Sequence, residues 1–288
     1  MAKAIDLYKY RYVQMGELHL PNRVAFEKLS WSIRPIGSME STDPEFGKYG
    51  LKAQSLIPET RAIDKEFVTF PRRVGSCVLL EYSGKYFAAF TRHQYSQLSN
   101  DLDLSQSINN LCIYVDYEGG TTNIPICDLL LPTHKTEDDL NDIAIAVVHP
   151  HFHSHKHQSY FFPVAEKRKL PMGTLGIAVG YRYDAPFDTT KYSLSLHDVT
   201  AFPGEIVAYS DNQRSMLGTF KYEHDGNPLD GMSGGGVFTS ELGKDSLILS
   251  FAGLIVRGGN GWIYFLSNER IVGILDDYVK GKPVYGDI

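Results

Sequence analysis

From residue 75 onward the chain breaks into short apolar runs separated by tight turns, and this texture limits the fold more than any other feature. Ser76–Tyr82 and Tyr86–Thr91 flank Ser83-Gly84-Lys85, a compact hairpin signal. Leu111–Tyr117 and Thr121–Cys127 flank Glu118-Gly119-Gly120 in the same way, and Ile143–Val148 is bounded by Asp142 and His149-Pro150. Strand-length runs at this spacing build a sandwich or a barrel. A second series follows: Thr174–Tyr181, Tyr192–Leu196, Glu205–Ala208, Leu217–Tyr222, Val237–Thr239, Ser246–Val256 and Trp262–Leu266. The chain closes differently. Ile271, Ile274, Leu275 and Tyr278 fall at i, i+3, i+4 and i+7, which predicts an amphipathic helix over 268–280, capped by Ser267 or Asn268 and ended by Gly281.

Composition excludes several classes of protein. The 288 residues are 43% hydrophobic and 22% charged, as in ordinary globular proteins, and the net charge of -6 leaves no basic footprint for nucleic acid. No apolar stretch approaches the length of a membrane span, and the N-terminus has no secretory pattern. Cys77, Cys112 and Cys127 are an odd count in apolar contexts, so buried free thiols in a reducing, cytoplasmic compartment are expected.

Residues 1–70 carry no motif and read as an N-terminal extension, with Ile36–Gly50 as loop; the sharper alternative is a regulatory or partner-binding arm. Between the two series of runs, His149, His151, His153, His155 and His157 occupy alternate positions and would share one side of an extended segment. Such a row could bind zinc or another borderline ion, but no carboxylate or cysteine accompanies it in what reads as a solvated linker, so no metal site is assigned and no cofactor is expected.

The chemistry concentrates at Leu229-Asp230-Gly231-Met232-Ser233-Gly234-Gly235-Gly236. Glycines are costly in a packed element, but they let backbone N–H groups approach a developing oxyanion. A serine hydroxyl needs a base, itself oriented by a third group. His93 follows the strand-like run Phe87-Ala88-Ala89-Phe90-Thr91-Arg92, and Asp142 immediately precedes Ile143–Val148. Each residue alone is unremarkable. Their order (His, Asp, Ser) and their placement at strand ends make the set specific.

With these segments the chain resembles the chymotrypsin/trypsin superfamily of serine peptidases, in a disulfide-free, intracellular form. Phe90-Thr91-Arg92-His93, Asp142-Ile143-Ala144-Ile145 and Gly231-Met232-Ser233-Gly234-Gly235 carry the resemblance over residues 70–288, supported by Phe251–Gly259 and Trp262-Ile263-Tyr264. It implies an all-β fold of two six-stranded antiparallel barrels with a C-terminal helix. The first lobe would span 71–150 and the second 151–288, together forming one peptidase domain. It also implies His93 as general base, Asp142 as its orienter, Ser233 as nucleophile, and Gly231 and Ser233 as oxyanion-hole donors. Val256, Arg257 and Gly258 would border the peptide substrate.

The departures from that pattern carry information. Secreted members usually place a cysteine next to the histidine; here Gln94 stands there. They place an aspartate before the serine to pair with a new N-terminus; here the residue is Met232, so regulation is expected from the N-terminal extension or a protein partner. Asn227 falls near the base of the primary pocket, and Trp262 either narrows its wall or points into the core, which implies small or modest apolar specificity. The alternative function is a catalytically silent module that binds peptides or proteins in its groove.

Overall fold

Residues that alternate between apolar and polar over short spans gain most by pairing into sheets that bury one face. The computed structural model describes residues 12–16, 18–41, 69–98, 111–117, 120–132, 138–152, 160–164, 167, 170–182, 199–210, 216–224, 226, 229–243 and 246–284. The expected run Tyr192–Leu196 lies outside them.

The strands of the second lobe are β11 (Leu175–Tyr181), β12 (Val199–Tyr209), β13 (Leu217–Tyr222), β14 (Gly236–Leu242), β15 (Leu247–Gly259) and β16 (Trp262–Ser267). They pair in the order β14-β11-β12-β13-β16-β15, and β15 pairs back to β14, closing a six-stranded barrel. Its interior holds Ala178, Phe202, Phe220, Val237, Ile255 and Phe265. The first lobe is a curled half-barrel. It contains β3 (Ile33–Ser41), β4 (Thr69–Tyr82), β5 (Lys85–Phe90), β6 (Leu111–Tyr117), β7 (Gly120–Asn123), β8 (Ile126–Leu130) and β9 (Ala144–Val148). The order is β7-β6-β3-β4-β5-β9-β8, with β10 (Phe162–Pro163) parallel to β4.

The hairpin expected at Ser83-Gly84 is present. Both residues have positive φ, 51° and 72°, and Tyr82 pairs with Lys85 across a two-residue turn of the kind that matches strand twist. The run expected over Thr121–Cys127 is split between β7 and β8.

The N-terminal part differs most from expectation. Residues 12–41 contribute β1 (Tyr12–Met15), β2 (Leu18–Pro21), α1 (Asn22–Ser32) and β3. The loop expected from Ile36 is strand as far as Ser41, and β3 lies between β4 and β6 within the first sheet. β1 extends the second sheet by pairing parallel to β15, with Val13 opposite Leu247. The body of the fold therefore starts well before residue 71. Arg34, Pro35 and Gly37 hide β3 from a pattern-based reading, since proline is rare inside a sheet.

A core cluster lies between the lobes, joining Ile33, Val78 and Phe87 of the first to Phe238, Leu254 and Leu266 of the second. The final helix, α4 (Asn268–Val279), seals its edge. Ile271, Val272, Ile274 and Leu275 are buried, each worth roughly 1.5–3 kcal/mol as an upper bound. Ser267 holds the N-cap position but its hydroxyl makes no cap bond. Gly281, at φ 69°, ends the helix and donates its N–H to the Tyr278 carbonyl.

Two thiols are buried as expected, Cys77 and Cys112, and burial pushes the Cys77 thiol well above its ordinary value. Cys127 is a correction: it is exposed on β8, where alternation turns it outward. Among the described residues no helix is long and apolar enough to cross a membrane.

The Tyr82 hydroxyl donates to Asp276 Oδ1 at 2.5 Å, tying β4 of the first lobe to α4. This bond, aided by Lys280 and Lys167, holds the Asp276 carboxyl below its usual value. A lowered folded-state value means the stabilisation is complete above the unfolded carboxyl's range and is lost as pH falls through the folded one. Tyr82→Phe should therefore unfold at lower urea than wild type at pH 7, and the gap should narrow below about pH 4. Urea titrations at pH 7 and pH 3 measure this.

Candidate active site

Small residues let β5 pack tightly against its neighbours, and the strand ends at Phe90 with its last five residues buried. Thr91 is the junction. From it the chain turns into α2 (Arg92–Leu98), which sets His93 at the rim of the lobe with an exposed side chain. Asp142 follows the short α3 (Asp138–Asn141) and precedes β9, the strand that pairs with β5. The β5–β9 ladder therefore brings two residues 49 positions apart together.

Asp142 holds His93 twice. Its Oδ2 lies 2.8 Å from His93 Nδ1, and its Oδ1 accepts the His93 backbone N–H at 2.9 Å. The carboxylate assigns the ring proton to Nδ1, which leaves Nε2 of the neutral imidazole as a lone pair. Nε2 lies 3.3 Å from the Thr91 hydroxyl, which donates to it in that tautomer.

Ser233 sits in a tight turn before β14. Met232 N–H donates to Leu229 O, Gly235 N–H to Met232 O, and Gly234 N–H to Ile255 O. Gly231 and Gly234 have φ of 88° and 81°, a region where glycine avoids the strain of other residues. Among the described residues the N–H groups of Gly231 and Ser233 have no hydrogen-bond partner. The first lobe grips the loop from behind. Ser76 on β4 donates its N–H to Ser233 O and its hydroxyl to Gly231 O at 2.7 Å, and accepts the Tyr181 N–H at 2.8 Å.

The Ser233 hydroxyl donates to Val256 O at 3.1 Å, and no hydrogen bond joins it to His93. The structure thus unites His93 with Asp142 and leaves the Ser233 hydroxyl directed elsewhere. Val256 owes its carbonyl's orientation to a β-bulge: Ile255 pairs with Phe265 and Arg257 with Tyr264, so Val256 is the extra residue. Nothing in the sequence signals this bulge.

The remaining expected residues fall as follows. Arg257 is exposed, stacks 5.0 Å above the Tyr264 ring and pairs with Asp139 at 2.8 Å across the lobes. Gly258 leaves space for Leu229, whose Cδ1 would lie 2.6 Å from any added Cβ. Trp262 is 39% exposed, with Lys221 Nζ 5.7 Å from its ring, so it does not point into the core. Asn227 lies outside the described residues, as do His153, His155 and His157; Pro150–Phe152 forms a 3-10 turn rather than an extended segment. Among the described residues no group of three or more His, Cys, Asp or Glu is placed to hold a metal.

Solved structures share this architecture. The chain is similar to a thermostable serine protease, AL20, from an extremophilic microorganism, with a TM-score of 0.52 and 14% identity over 89% of this chain and 100% of that one. It is also similar to HBP, with a TM-score of 0.51 and 9% identity over 91% and 96%. No protein-family model and no curated protein matches the sequence. The fold is the trypsin-like two-barrel fold.

Gly234 offers a sharp test of the loop. A Cβ there would run into the Ser76 carbonyl and come within 2.7 Å of Gln94 Oε1, in a backbone conformation that side chains resist. Gly234→Ala should destabilise the protein by more than about 2 kcal/mol, as measured by chemical denaturation.

Proposed function

We propose that the protein is a serine endopeptidase acting through an acyl-enzyme intermediate. The observation that carries this reading is the His93–Asp142 pair, which leaves Nε2 as the acceptor nitrogen, on a helix whose next residue, Gln94, bonds the Ser233 carbonyl. His93 would take the Ser233 proton as Oγ bonds to the scissile carbonyl carbon, and would return it to the leaving amine as the C–N bond breaks. Water would then attack the ester by the same route, freeing the acid and restoring Ser233. The unpartnered N–H groups of Gly231 and Ser233 would receive the oxyanion, each worth a few kcal/mol of barrier.

The hydrogen bond from Ser233 to Val256 O fits a substrate-dependent alignment. A peptide pairing with 256–258 would offer its own N–H to that carbonyl, freeing the hydroxyl to turn to His93. With Asn227 rather than an acid aligning near the pocket base and Trp262 aligning with its wall, we assign a preference for small or modest apolar side chains; strong cleavage after Arg or Lys in a peptide library would sink it. Because 12–41 build both sheets, regulation is assigned to a protein partner or to other parts of residues 1–70. The free thiols of Cys77, Cys112 and Cys127 support a cytoplasmic setting.

The second reading, a silent peptide-binding groove, draws on one observation: the Ser233 hydroxyl bonds to Val256 and not to His93. A fluorophosphonate probe separates the two. Wild type should be labelled at Ser233 and Ser233→Ala should not, while Asp142→Asn should react about four orders of magnitude more slowly. Folded wild type that stays unlabelled favours the silent groove.

A further inference from the structure

Gln94 follows His93 on α2, yet it is 1% exposed while the His93 side chain is 45% exposed. Its Nε2 donates to the Ser233 carbonyl at 2.6 Å, and its Oε1 accepts the Thr91 N–H at 3.0 Å. One amide thus spans the residue that opens the base's helix and the nucleophile's own backbone, 139 positions along the chain. The surrounding sequence gives way to it. A Cβ on Gly75 would run into the Gln94 amide nitrogen, and one on Gly234 would crowd its Oε1.

We propose that Gln94 is a positioning residue: a buried amide strut that sets the distance and orientation between His93 and Ser233. This rests on the peptidase reading. The amide's polarity is essential, because its donor faces a carbonyl and its acceptor faces an N–H. The Ser233 carbonyl accepts from both Ser76 N–H and Gln94 Nε2, so both of its lone pairs are used. Losing one bond frees the loop to rotate about the other. A displacement of about 1 Å between base and nucleophile is enough to cost about 100-fold in rate.

Two variants test the strut in the full chain. Gln94→Met keeps length and burial but removes both polar ends. Its fluorophosphonate labelling rate should fall about 10- to 100-fold. Backbone amide exchange at Gly234 and Gly235 should quicken while the thermal midpoint moves by only a few degrees. Gln94→Glu faces a carboxylate to a carbonyl at neutral pH, but its protonated form restores a donor there while still accepting from Thr91. Burial raises the acid's titration, so the ratio of variant to wild-type labelling rates should climb as pH falls from 8 to 6. A carboxylate acting only through its charge on His93 would raise the imidazole's proton affinity and drive that ratio down.

Unchanged labelling in Gln94→Met, unchanged exchange at Gly234 and Gly235, or a flat or falling ratio in Gln94→Glu overturns the strut. Wild type that never reacts overturns the peptidase reading instead. The exchange measurement needs no turnover, so it still decides whether Gln94 holds the loop.

Discussion

The carbonyl oxygen of Ser233 is where the two lobes are fastened. It belongs to the second lobe, yet both of its hydrogen bonds come from the first, from Ser76 on β4 and from Gln94 on α2. A loop so rich in glycine has many conformations available, and each fixed residue costs about 1–2 kcal/mol of backbone entropy. Those two donors, with the Ser76 hydroxyl on Gly231 O, select one conformation from behind and leave the front N–H groups unbonded. The apolar layer between the lobes keeps the donors in reach.

Met232 supplies the second anchor. It is 1% exposed within the second barrel's core, and a Cβ on Gly180 would come within 2.9 Å of its sulfur. Where an acid would need a charged partner to be buried, a thioether needs only space. The loop is therefore held by packing and neutral hydrogen bonds, with no buried charge at Met232 to satisfy.

The legible parts of the chain were those decided locally. Positive-φ residues at Ser83-Gly84, the i, i+3, i+4, i+7 spacing of Ile271 to Tyr278, and small residues along β5 all act within a few positions, so the hairpin, the final helix and the site of His93 could be read directly. The pairing of His93 with Asp142 was legible because both lie beside strands that share a ladder. The rest was set by distant partners. β3 has no regular pattern and exists because β4 and β6 flank it. Gln94 meets a carbonyl 139 residues away, and the bulge at Val256 depends on register with β16. Cys127 reads as apolar in context but alternates to the outside.

The central claim is that Ser233 carries the acyl group. Incubating the protein with an activated peptide ester, quenching in acid and mapping the peptides by mass spectrometry tests it most directly. The account predicts a transient acyl adduct on the peptide containing Ser233, lost on longer incubation and absent from Ser233→Ala. No adduct, or an adduct on the exposed Cys127 alone, would contradict it.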